Sequence, residues 1–226
     1  MTTPFNQPLE SHTMSAPTLL DRTGMLVRGI LVALLLAPAA VVADDDDPMR
    51  MVQSTTGELF ARVQAKRDVL GADPAALEPL LEQVLLPHID LERTSQLVLG
   101  KHWRQASQPQ RDEFMFEFRR LLVRTYSTAV VEFSDVSVDY LGVRYAENGS
   151  EAIVRTRVNM RDGRPSVGID YRVRSIGGTW KLFDVAIEGV SLVTTYRSSF
   201  NQDVGRIGLD GLVRALRERN RGQDGV

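Results

Sequence analysis

Apolar positions along this chain change period once. From about residue 49 to residue 133 they recur every three or four positions. From Val136 to about residue 188 every second position is apolar, so a helical half precedes a strand half. Met51, Leu59, Phe60, Val63 and Val69 mark a first helix, with Ser54, Thr55 and Thr56 as cap candidates and Gly71 at its end. Leu77, Leu80, Leu81, Val84 and Leu85 mark a second. Asp73 is its cap candidate, Pro74 its first position, and Pro87 stops it. A third helix is predicted from Asp90 to Gly100. The strongest pattern runs from Ser107 to Phe133, where Phe114, Phe118, Leu121, Leu122, Thr125 and Ala129 form one stripe. Met115, Tyr126 and Val130 widen that stripe, so this helix meets more than one neighbour.

The strand half alternates cleanly. Val136, Val138 and Tyr140 form one set, Ala152, Val154, Thr156, Val158 and Met160 the next, and Ile169, Tyr171 and Val173 a third. Asn148-Gly149-Ser150, Asp162-Gly163-Arg164-Pro165 and Gly177-Gly178 are predicted hairpin turns. The fourth strand, TWKLFDVAI, is apolar on both faces. A last amphipathic helix is predicted near Gly205 to Asn220. The class is therefore α+β: a helical part, 49–133, packed on an antiparallel sheet of about four strands, 136–188, followed by a C-terminal helical part, 190–220.

One segment belongs to neither half. Gly29 to Ala43 is an uncharged run of fifteen residues, against the roughly 20 needed to span a bilayer. Arg22 and Arg28 precede it, and Val41-Val42-Ala43 closes it. This is the layout of a secretory signal peptide, 1–43, cleaved after Ala43. The alternative is an uncleaved anchor, against which the short run and the cleavage pattern both count. Met1, Met14 and Met25 all remain open as starts. No cysteine follows the run, so lipid attachment at a cysteine is excluded.

Composition narrows the function. Residues 44–226 suffice for one domain with its own core. The formal charge is −2, with basic residues dispersed among acidic ones, which argues against nucleic acid as a partner. The chain has no cysteine. Thiol catalysis and cysteine-ligated metals are thereby excluded, and an exported chain without disulfides suits the bacterial periplasm.

Candidate chemistry is sparse. His88 and His102 are fourteen positions apart, with no ligand cluster around them, so a metal-free protein is expected. Ser191, Ser198 and Ser199 have no histidine near in sequence, which leaves a serine hydrolase as a weak alternative. Glu117, Glu132 and Asp135 read as solvated helix carboxylates rather than a glycosidase pair. Arg155, Arg157, Arg172 and Arg174 share the polar side of their strands and read as a solvated face balanced by cross-strand acids. The surplus lies in apolar stripes, which a filled core and a hollow one would share equally.

Two blocks carry a resemblance. The first runs LLPHIDLERTSQLVLGKHW, with Leu85-Leu86-Pro87 and Leu97 to Gly100, and then the cap Ser107, Gln110 and Arg111 with Phe118 and Tyr126 behind it. The second runs NMRDGRPSVGIDYRVRS, then WKLFDVAIEGVSLVTTYRSSF, then IGLDGLVRAL. In order and spacing, from roughly Glu58 to Leu216, the chain resembles the MlaC family of periplasmic phospholipid-binding proteins, also called toluene-tolerance proteins. The run from Asp184 to Phe200 is its most specific part.

The resemblance implies a soluble phospholipid carrier and not an enzyme, with lipid as cargo and no cofactor. It implies work between an outer-membrane lipoprotein complex and an inner-membrane ABC transporter bearing an MCE-domain ring, maintaining outer-membrane lipid asymmetry. The implied fold holds acyl chains in a deep apolar cavity and leaves the headgroup in solvent. That cavity is expected at or beyond the upper end of the roughly 300–1,000 Å³ usual for ligand sites. The converging stripes put Leu81, Leu85, Val98, Phe118, Leu122, Val154, Val158, Tyr171, Val173, Phe183 and Val190 on its wall. A periplasmic α+β hydrolase using Ser191 or His88, or a scaffold that binds only protein, are the readings that compete.

Overall fold

The computed structural model describes residues 47–72, 74–132, 136–161 and 163–222. The expected signal peptide and its cleavage point, the Asp73 cap, Phe133 and Asp162 lie outside the described residues.

The helical part opens with α1, Pro48–Ala65. Asp47, not the Ser54–Thr56 trio, caps it: its carboxylate accepts from the Met49 N–H at 2.9 Å. Ser54 and Thr56 sit inside the helix, and their hydroxyls turn back on the carbonyls of Met51 and Val52. A break at Lys66 separates α1 from α2, Arg67–Ala72, where one continuous helix was expected. A 3₁₀ turn, Pro74–Leu77, leads into α3, Glu78–Val84, and a second, Leu86–His88, follows it.

Next comes α4, Leu91–Leu99, as expected between Asp90 and Gly100. Asp90 accepts from the Arg93 N–H at 2.9 Å, and Gly100 ends the helix at φ 56°. After the short α5, Lys101–Gln105, comes α6, Gln108–Glu132, 25 residues long. Ser107 and Gln110 bond reciprocally at its start.

The sheet is antiparallel and ordered by sequence: β1 (Val136–Tyr145), β2 (Glu151–Met160), β3 (Val167–Ile176), β4 (Thr179–Ile187) and a two-residue β5 (Val190–Ser191). Four long strands match the expectation. The fifth is too short to carry a sequence period. Alternation is obeyed on β2, where Ala152, Val154, Thr156 and Val158 are buried while Arg155 and Arg157 are exposed. Register breaks once between β3 and β4: Arg172 pairs with Asp184 and Val173 with Leu182, which leaves Phe183 without a partner on β3. This bulge lets Leu182 and Val185, three residues apart, face the same side of the sheet. It is why β4 reads as apolar on both faces.

The last helix, α7, spans Leu192–Gly222, with non-helical backbone at Gly208. It starts earlier than the period suggested, because Thr194, Thr195, Ser198 and Ser199 interrupt the apolar stripe without interrupting the helix.

Three buried clusters organise the fold. Val98, Leu99, Phe114, Phe118, Phe200 and Leu212 are prominent in the first, where α4, α6 and α7 meet. Leu59, Val63, Leu77, Leu81 and Val84 form most of the second, among the early helices. Val52, Ala152, Val154, Val173 and Trp180 form the third, beneath α1 on the sheet. The far end of α7 is fixed by a polar clasp: the Glu117 carboxylate on α6, 3% exposed, accepts from the Asn220 side chain at 2.7 Å and from Arg217 at 3.3 Å.

Candidate functional site: an apolar cleft between sheet and helices

Stitching between α4 and β4 sets the position of the cleft. The Asp90 N–H donates to the Leu182 carbonyl at 2.8 Å, and the Thr94 hydroxyl to the Phe183 carbonyl at 2.9 Å. Arg174 on β3 pairs with the Asp90 carboxylate, so one aspartate both caps α4 and ties it to the sheet. Opposite this seam runs α6. Between them opens a cleft of about 300 Å³.

Most of its wall has four sources, and Ile89 and Thr94 add to it. Leu81 and Leu85 come from α3 and its end, and Phe118, Leu122, Val123, Tyr126 and Val130 from α6. β4 supplies Leu182, Phe183, Val185 and Ile187, and the start of α7 supplies Leu192, Val193 and Tyr196. Phe118 stands at the back in an aromatic cluster, 5.2 Å edge-on from the Tyr196 ring and 5.4 Å from Phe114 in a stacked pair.

Polar groups on this wall are spent within the protein. Tyr126 hydrogen-bonds to Tyr196. Burial raises the Tyr126 phenol well above the usual tyrosine range, and the Tyr196 bond and charge add to the shift. The Thr94 hydroxyl is committed to the Phe183 carbonyl. Asp184 accepts from the Ser191 hydroxyl and the Val193 N–H. What faces the cleft is hydrocarbon and ring.

Of the eleven residues expected on the wall, the structure brings five together here: Leu81, Leu85, Phe118, Leu122 and Phe183. The other six lie elsewhere. Val98 is fully buried in the helical cluster, while Val154 and Val173 are fully buried under α1 with Tyr171 packed beside them. Val158 is buried on β2, and Val190 is 62% exposed at the β4–β5 turn. Ile89, Val130, Leu182, Val185, Ile187, Leu192, Val193 and Tyr196 also border the cleft and were not expected there. The Asp184–Phe200 run, already the most distinctive stretch of the sequence, carries several of them.

The volume also differs from expectation. It stands at the lower end of the range usual for ligand sites rather than beyond its upper end.

The weaker chemical readings can be placed too. Ser191 donates to Asp184 at 2.6 Å and accepts from the Thr194 N–H at 3.0 Å, and among the described residues no histidine borders the cleft. Among the described residues no group of three His, Asp or Glu side chains is arranged to hold a metal ion. No described helix is long and apolar enough to cross a membrane.

Fold and cleft together define an α+β protein that packs helices over a sheet and keeps a largely apolar cleft between them, the architecture of an apolar-ligand binder. The family model described as MlaC protein matches residues 53–218, and the chain belongs to the MlaC family. It is 29% identical over 187 residues to the toluene tolerance protein ttg2D of Pseudomonas putida, covering 82% of this chain and 86% of that one. It is 24% identical over 193 residues to the intermembrane phospholipid transport system binding protein MlaC of Haemophilus influenzae, covering 84% and 88%. Among solved structures it resembles the phospholipid-binding protein of Ralstonia solanacearum, determined in complex with a phospholipid. The TM-score is 0.72 at 32% identity, over 78% of this chain and 98% of the other.

Proposed function

We propose that this chain is a phospholipid-binding transport protein, a carrier rather than an enzyme, and that the cleft between α6 and β4 takes the acyl chains. The observation that carries this reading is the chemistry of the wall: its polar groups are paired within the protein, so it offers a guest hydrocarbon contact and little else. Family membership points the same way, since the MlaC family transports lipid between membrane complexes. A buried methylene contributes about 0.8 kcal/mol, so two long acyl chains resist entering water by on the order of 20 kcal/mol. A carrier must therefore cover the chains in transit and exchange lipid in contact with its donor and acceptor. Leu81, Leu85, Phe118, Leu122 and Phe183 are the chain-contacting residues of this proposal.

In the same reading the protein works in the periplasm as one domain, 44–226, released from its signal peptide after Ala43. Its partners are an outer-membrane lipoprotein complex and an inner-membrane MCE-domain ABC transporter, and its cargo movement maintains outer-membrane lipid asymmetry. The test is organic extraction of protein purified from the periplasmic fraction without detergent, followed by mass spectrometry. Phospholipid recovered in a fixed ratio to protein is the expected result. Lipid-free protein that also takes up none from vesicles would end the reading.

A further inference from the structure

A second cavity, about 570 Å³, shares Phe183, Asp184 and Val193 with the apolar cleft but has a charged wall. Register builds part of it. Arg144, Ile153, Arg172 and Asp184 stand directly opposite one another across β1, β2, β3 and β4, so they share one face of the sheet. Arg93 reaches the cavity from α4 and Arg197 from α7, while Glu147 and Glu151 border it at the β1–β2 end.

The donors here are unequally spent. Arg172 lies 3.6 Å from the Asp184 carboxylate, and the first amides of α7 are consumed by Asp184 and by the Ser191 hydroxyl. Arg93 is only 3.8 Å from Glu151 at its Nη2, and its buried Nε has no hydrogen-bond partner. Among the described residues, Arg144 and Arg197 have no carboxylate within ion-pair distance. Arg197 packs over Gly100, where an added Cβ would stand 3.3 Å from its guanidinium. Three guanidinium groups with donor capacity to spare thus converge on one cavity.

We propose that this cavity binds a phosphate group through Arg93, Arg144 and Arg197. The planar fork of a guanidinium matches two phosphate oxygens at once. Glu147 and Glu151 limit the charge the site tolerates, which favours a phosphate mono- or diester over a polyanion. The volume lies within the range of ligand sites. The phosphate belongs either to the headgroup of an amphiphile whose chains occupy the adjoining cleft or to a free phosphate ester. The proposal goes beyond the carrier reading, which concerns only the apolar cleft.

The test is an NMR titration of the lipid-stripped exported protein with inorganic phosphate and with glycerophosphoethanolamine, against sodium chloride at matched ionic strength. Saturable shifts at the amides of Arg93, Arg144, Thr194 and Arg197 are expected, with dissociation constants raised at least tenfold in Arg93→Gln/Arg197→Gln. Arg144→Gln, on an exposed strand end, repeats the measurement if the double variant does not fold. Shifts that chloride reproduces, or affinity unchanged in the folded variants, overturn the proposal. Repeating the titration on phospholipid-loaded protein separates the two sources. Blocked phosphate binding assigns the site to the cargo headgroup, and undiminished binding assigns it to a free ester. Extractable lipid reads the apolar cleft independently, so loss of the phosphate site with lipid retained leaves the carrier reading standing.

Discussion

The Ser191 hydroxyl donates to the Asp184 carboxylate at 2.6 Å, across the tight turn that joins β4 to the last helix. The same carboxylate accepts from the Val193 N–H at 3.1 Å, so a buried strand residue caps the helix that follows it. Glu188 and Gly189, at φ 48° and 79°, close the turn. Leu192, Val193 and Tyr196 then reach the cleft because the first turn of α7 is held against β4.

Removing that cap is expected to cost stability and cargo together. Asp184→Ala loses two charge-assisted hydrogen bonds, each with a usual worth of about 2 kcal/mol. Asp184→Asn, which keeps an acceptor, loses less. Urea unfolding measures both, and extraction should find less lipid in the alanine variant. Unchanged stability in Asp184→Ala would mean that the cap does not anchor α7.

Charge in the cleft should act differently from charge in the core. Leu122→Glu places a carboxylate at a half-buried wall position, where it can reach water through the open side. Lipid per protein is expected to fall at least tenfold while the circular dichroism spectrum is kept. Val98→Glu, at a fully buried position, has no such outlet and is expected to unfold the protein, since an isolated buried charge costs several kcal/mol. A folded Leu122→Glu protein with full lipid would remove Leu122 from the wall.

Arginines of the open sheet face are assigned to encounter rather than to cargo retention. Arg155 sits across from Asp170, and Arg172 is engaged by Asp184. An exposed ion pair contributes about 0–1 kcal/mol, and even the pair with buried Asp184, whose arginine side chain is half exposed, stays far below the apolar term of the tails. Arg155→Ala/Arg172→Ala should therefore keep its lipid, while transfer to partner complexes slows, most visibly at low salt. A collapse of lipid content in the folded variant would contradict this assignment.

Alkali should weaken the fold through Tyr171. Burial, reinforced by nearby Tyr140 and opposed by a hydrogen bond with Thr156, pushes its phenol up to about 12 from the usual tyrosine value near 10. A raised folded-state value gives stability that is whole below pH 10 and lost as pH rises through 12. Urea midpoints should fall over that window, and less steeply in Tyr171→Phe. Identical slopes in the two proteins would discount the residue.

The exported protein is expected to begin at Asp44. Edman degradation of periplasmic material tests this directly, and recovery of Met25 on a membrane-bound species would contradict it.

The sequence alone determined the class and the longer elements, though not the break at Lys66, the two-residue β5 or the early start of α7. Periods of 3.6 and two separate helices from strands because each element must turn one face to a neighbour, and that requirement is local. The Asp90 cap, the Gly100 stop and the Gly177-Gly178 turn were legible for the same reason. The MlaC resemblance was legible through the Asp184–Phe200 run. Which apolar residues border open space was decided only by the tertiary structure. Val98 and Phe118 both lie on helical stripes, yet one is sealed in the core and the other backs the cleft. Hydrophobic periodicity records that a side chain leaves water, and not whether the space in front of it is filled. That depends on non-local events: the bulge at Phe183, the seam from Asp90 and Thr94 to β4, and the Asp184 cap that holds α7. The charged cavity has the same origin, since Arg93, Arg144 and Arg197 are far apart in sequence and converge only when the sheet register and two helices bring them together.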